Sequence, residues 1–81
     1  MIFVDVYVPV LDSKYDFELD EEMKTEILIS KVISLIEQKE KLGRKMTRSR
    51  FFYDLERERM LKRNENLVQQ GVKSGDRLIL V

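Results

Sequence analysis

The sequence predicts an α+β fold, in which one amphipathic helix lies across a mixed sheet of four or five strands. Three observations carry this. Apolar residues alternate with a period of two at both ends of the chain, a single apolar stripe at helical spacing occupies the middle, and turn residues punctuate the intervals. A chain of 81 residues is enough for one small domain, residues 1–81, with a modest core.

Each element has its own justification. In residues 2–8, Ile2, Val4, Val6 and Val8 share one parity, with Phe3, Asp5 and Tyr7 on the other, which reads as a strand with one buried face. Pro9 cannot donate to a ladder, so the strand stops there, and Val10, Asp12 and Ser13 form a turn. Tyr15, Phe17 and Leu19 alternate with Asp16 and Glu18 to make the second arm of a hairpin. The period then changes. Ile29, Val32, Ile33 and Ile36 follow helical spacing, flanked by Leu28 and Leu35, and predict a helix over 26–42. Thr25 is the expected N-cap, Asp20, Glu21, Glu22 and Glu26 favour the positive end of its dipole, and Gly43 is expected in the left-handed closing position. Phe51, Phe52 and Tyr53 start a third strand, with Met60 and Leu61 in a fourth, joined by a turn without glycine. A helix over 50–63 competes with this hairpin, because Phe52, Leu55 and Arg59 are also helix-spaced. Asn66 caps a short helical turn closed by Gly71, Gly75 serves a tight turn, and residues 77–81 form the last strand.

Composition limits the chemistry. Cys and His are absent, which excludes disulfides, Cys/His zinc sites, thiol nucleophiles and imidazole bases. Three glycines supply no phosphate-binding loop, and the pairs Asp20/Glu22 and Glu56/Glu58 read as solvated acidic loops rather than acid/base machinery. No enzyme activity and no cofactor are expected. Fifteen basic and fifteen acidic residues cancel, so no overall field draws nucleic acid or an anionic membrane. No apolar run approaches a membrane span, and Asp5 interrupts the N-terminal apolar segment before it resembles a signal peptide. A cytoplasmic domain without membrane insertion is the expectation.

The final strand needs a partner, and the natural place is parallel to the first strand; this arrangement is the β-grasp. The run from Leu67 to Val81 has the form Leu, three residues, Gly71-Val72, two residues, Gly75-Asp76, one residue, Leu78, one residue, Leu80. It resembles the closing signature of ubiquitin-like domains, and is similar in particular to the YukD/EsaB family associated with type VII (WXG100) secretion systems. Val4, Val6, Tyr15, Phe17, Leu19, the Ile29–Ile36 stripe, Phe51, Tyr53 and Leu61 fall where such domains place their cores. The resemblance implies an accessory or regulatory protein-interaction module. Conjugating relatives act through a flexible Gly-Gly tail, whereas Leu78-Ile79-Leu80-Val81 stays in strand pattern, so conjugation is not expected.

Two surfaces remain for binding. Residues 1–26 hold eight acidic side chains against Lys14 and Lys24, and residues 39–50 hold six basic ones against Glu40. The basic run, including Arg44, Lys45, Arg48 and Arg50, is expected to steer an acidic partner, or otherwise to be a solvated loop. If Phe51, Tyr53, Leu78 and Leu80 face the helix, Phe52, Ile79 and Val81 face away as apolar anchors, joined by Phe3 and Tyr7. On this reading Phe52 can be truncated without harm to the fold. Protein partners, among them secretion-system components, or a second copy are the expected ligands. A small nucleic-acid-binding module using residues 39–50 is the alternative, disfavoured by the neutral net charge.

Overall fold

The structure is a computed structural model and describes residues 1–41 and 50–81. Among the described residues, five strands and one α-helix follow in the order β1 (Ile2–Val8), β2 (Ser13–Leu19), α1 (Thr25–Glu40), β3 (Phe52–Asp54), β4 (Arg59–Met60) and β5 (Arg77–Leu80). The sheet order is β2-β1-β5-β3-β4, with β5 parallel to β1 and every other pairing antiparallel. The last strand is therefore inserted beside the first, as expected.

The opening hairpin forms as the alternation requires. Val4, Val6 and Val8 are buried beneath α1, while Phe3 and Asp5 are exposed. Pro9 begins a 3₁₀ turn, Pro9–Leu11, and Asp12 takes the left-handed conformation that reverses the chain. β2 pairs with the whole length of β1, Ile2 opposite Leu19 and Val8 opposite Ser13.

The helix buries Thr25, Leu28, Ile29, Val32 and Ile36, with Ile33 half-buried and Leu35 exposed. Two details at its ends differ from expectation. Lys24 stands at the N-cap, and Thr25 is inside the helix, fully buried, its hydroxyl donating to the Glu65 carbonyl at 2.7 Å and accepting from Gln70 Nε2 at 3.1 Å. Thr25 ties α1 to the loop before β5 instead of satisfying its own helix end. At the other end Lys41 adopts the left-handed conformation, two residues before the expected Gly43, which lies outside the described residues.

Within residues 50–63 the chain forms β3, a turn and β4, so the helical alternative is set aside. The hairpin manages without glycine. Asp54 Oδ1 accepts from the backbone N–H groups of Glu56 (2.9 Å) and Arg57 (3.3 Å), and Glu58 supplies the positive φ of +53°. Asp54 is fully buried, with the Arg57 guanidinium 3.9 Å from its second oxygen and 2.9 Å from Asp76.

This turn decides the register of β3. Phe52 lies opposite Leu80 and Asp54 opposite Leu78, so Phe52 and Asp54 face the helix. Phe52 is fully buried, and Tyr53 points to the opposite side of the sheet. The expected parity of β3 is thus reversed. Counting apolar residues favours an inward Phe51 and Tyr53, but Asp54 is accommodated inside because the turn engages its carboxylate. Phe52 is a core residue and is not available as a surface anchor.

The closing motif is structural throughout. Leu67, Leu78 and Leu80 are buried in the core, and Gly71 (φ +77°) and Gly75 (φ +93°) take conformations that favour glycine. Asn66 and Gln69 exchange side-chain-to-backbone hydrogen bonds at 2.7 and 2.8 Å, a reciprocal cap on a hydrogen-bonded turn rather than a full helix. Gln70 is buried, exchanging bonds with the Lys62 backbone through both side-chain atoms (2.5 and 2.9 Å). Its carbonyl accepts from the Arg59 guanidinium.

Candidate interaction surface

With α1 on one side of the sheet, the described residues leave the other side open, and the register fixes which side chains occupy it. Ile79 sits between Tyr7 of β1 and Tyr53 of β3, and Tyr53 sits opposite Met60 of β4. Tyr7, Ile79, Tyr53 and Met60 therefore form a continuous apolar row across four strands, ending at Lys14 of β2. Met60 is 48% exposed and Phe3, farther along β1, is 60% exposed.

A charged row runs beside it. Asp5 lies opposite Asp16 on β2 and Arg77 on β5, and the Arg77 guanidinium pairs with Glu56 at 2.8 Å. Asp16 holds the Asp5 carboxyl above its ordinary value, by hydrogen bonding to its protonated form and by repulsion, while Lys14 and Arg77 pull the other way. Glu56 is held below its ordinary value by the hydrogen bond from Arg77. Between the rows is a depression of about 240 Å³ lined by Asp5, Tyr7, Lys14, Leu55, Arg77 and Ile79. The arrangement can receive an apolar side chain next to polar or charged groups. Among the described residues no cluster of three Asp or Glu side chains is arranged to hold a metal ion.

The residues expected to bind a partner are placed differently from one another. Ile79 is on the open face as expected, half-buried between two tyrosines. Val81 is 42% exposed and exchanges two backbone hydrogen bonds of 2.9 Å with Phe51. Phe52 belongs to the core. Arg50 is exposed at the entry to β3, donating its N–H to the Val81 carbonyl at 2.7 Å. Arg44, Lys45 and Arg48 lie outside the described residues. Tyr53, Leu55, Met60 and the row Asp5–Asp16–Arg77 were not foreseen. Alternation in β1 already directs Asp5 outward, but only the strand order brings Arg77 beside it.

No helix among the described residues is long and apolar enough to cross a membrane. No protein-family model matches the sequence, and no curated protein matches it. The solved structures supply a likeness: the ubiquitin-like domain of EccD5 from Mycobacterium xenopi superposes with a TM-score of 0.73 over 99% of this chain and 91% of that one, at 20% identity. With five strands in the order β2-β1-β5-β3-β4 and one helix across them, the chain has the ubiquitin-like fold.

Proposed function

We propose that this protein is a non-conjugating, non-enzymatic ubiquitin-like module that docks a protein partner on its open sheet face, as an accessory or regulatory component of a type VII-like secretion system. The observation that carries the docking surface is the row Tyr7–Ile79–Tyr53–Met60, an apolar band spanning four strands on the side of the sheet away from the helix. The secretion context is supported by the likeness to the EccD5 domain, together with the YukD-like closing motif. Ile79 and Val81 are the anchors of this reading, with Tyr53 taking the place expected of Phe52. Arg44, Lys45, Arg48 and Arg50 attract an acidic partner by their charge.

Affinity capture from the native cell, with Ile79→Arg as comparator, tests it. The parent captures secretion-system components, and Ile79→Arg loses them while keeping the parent's circular dichroism spectrum. Retention of every partner by the variant removes the open face from the proposal, and a captured set without secretion components removes the context. Capture of nucleic acid that falls steeply with added salt supports the alternative use of residues 39–50.

A further inference from the structure

The helix carries an exposed surface of its own, on the side away from the sheet. Leu28, Ile29, Val32 and Ile36 of α1 are buried and Ile33 is half-buried, but Ile27 is 42% exposed and Leu35 51%. These two lie about 12 Å apart along the helix axis. Ser30, Lys31, Ser34 and Gln38 join Leu35 in lining a shallow depression of about 360 Å³ along this side. With serines four residues apart, no bulky side chain bars the ridge of another helix. The Ser30 hydroxyl donates to the Glu26 carbonyl at 3.2 Å, so it can be covered without losing its partner.

Charge on this side is unmatched at its centre. Among the described residues no carboxylate pairs with Lys31, whose ammonium donates to the Met23 thioether sulfur at 3.7 Å, a weak acceptor. Glu22 and Glu26 stand at the start of the helix and Lys41 at its end. Glu37 is half-buried to one side, and Glu40 accepts the Tyr15 hydroxyl at 2.5 Å.

We propose that the outer face of α1 docks an antiparallel amphipathic helix of a partner protein, which sets aliphatic side chains against Ile27 and Leu35 and a carboxylate beside Lys31. A helix suits this face better than an extended segment, because the backbone of α1 spends its hydrogen bonds internally and offers no edge to pair with. Antiparallel alignment opposes the two dipoles and brings the partner's acidic first turn to Lys41 and its basic last turn to Glu26. A second copy of α1 satisfies both ends but fails at the centre. With each Ile27 opposite the other copy's Leu35, the twofold axis passes at Lys31 and sets two ammonium groups together. The surface lies across the helix from the open sheet face, so the domain can join two partners, and it does not depend on what the sheet binds.

The probe is a blocked, hydrocarbon-stapled, alanine-rich helix with leucines two turns apart on one face, a glutamate midway between them, glutamates in its first turn and lysines in its last. Stapling removes the cost of ordering a short helix. The peptide is titrated into the isotopically labelled 81-residue chain and followed by amide chemical shifts. The amides of Ile27, Lys31, Ser34, Leu35 and Gln38 shift and saturate, and a nitroxide on the peptide's first residue broadens Lys41 rather than Glu22. Lys31→Glu weakens binding roughly tenfold, restored by a peptide with lysine in place of the central glutamate, a reversal that damage to the fold would not show. Ser34→Arg, at an exposed position, fills the depression and weakens binding as much while leaving the circular dichroism spectrum unchanged. No saturable shift on α1, shifts centred on Tyr7, Tyr53 and Ile79, equal binding of both peptides to Lys31→Glu, broadening at Glu22, or concentration-dependent α1 shifts without peptide each overturn the proposal.

Discussion

Phe52 shows how much hangs on one residue's direction. It is fully buried and lies opposite Leu80 in the ladder, while its neighbours Phe51 and Tyr53 are exposed and half-buried. Phe52→Ala therefore empties the core of a large side chain and costs about 3–5 kcal/mol of folding stability by the usual cavity reckoning. Tyr53→Ala, on the open side, costs clearly less, since its ring is already half in water. Urea denaturation of the two variants side by side checks this. A loss of less than about 1 kcal/mol at Phe52 would put it back on the surface and reverse the register of β3.

At the scale of elements, the turn between β3 and β4 explains both what the sequence disclosed and what it withheld. β1, β2 and α1 were readable because a strict period, two or 3.6, assigns every residue to a face. Val4, Val6 and Val8 alternate with Phe3, Asp5 and Tyr7, and no shift of register improves on that. In Phe51-Phe52-Tyr53 three aromatic residues stand in succession, so either parity buries an aromatic ring. The tie is broken by Asp54, whose burial is made tolerable by the N–H groups of Glu56 and Arg57 and by the Arg57 guanidinium. Apolar patterning gives no weight to a buried carboxylate, and the open face inherited the error: Phe52 was expected there in place of Tyr53. Glu58 occupies the position that glycine fills most easily, at φ +53°. Glu58→Gly relieves that strain and stabilises the domain by up to about 1 kcal/mol, the gain limited by glycine's greater freedom when unfolded. Glu58→Ala keeps the strain and gives no such gain. Thermal melts of both variants test the assignment, and equal effects would show that the turn is not strained there.

At the scale of the whole molecule, the open face gathers charges from four parts of the chain: Asp16 and Lys14 of β2, Asp5 of β1, Arg77 of β5, and its partner Glu56 from the turn after β3. Folding alone brings the two aspartates together, so their mutual repulsion is a property of the native state. Because Asp5 is held above its ordinary carboxyl value, the folded chain keeps that proton more tightly than the unfolded one. This contribution favours the native state at acid pH and is lost as the pH rises from the ordinary carboxyl value through the raised one. Glu56 has the opposite sign: held below its ordinary value, it favours the native state above that value and fades as the pH falls through the lowered one. Asp5→Asn consequently melts higher than the parent at pH 7, with the advantage closing as the medium is acidified through the carboxylate range. Glu56→Gln melts lower at pH 7, and its deficit also closes on acidification. Melting temperatures of the parent and both variants across this range give the answer. An Asp5→Asn variant less stable than the parent at neutral pH would mean that Arg77 and Lys14, rather than Asp16, set the electrostatics of Asp5.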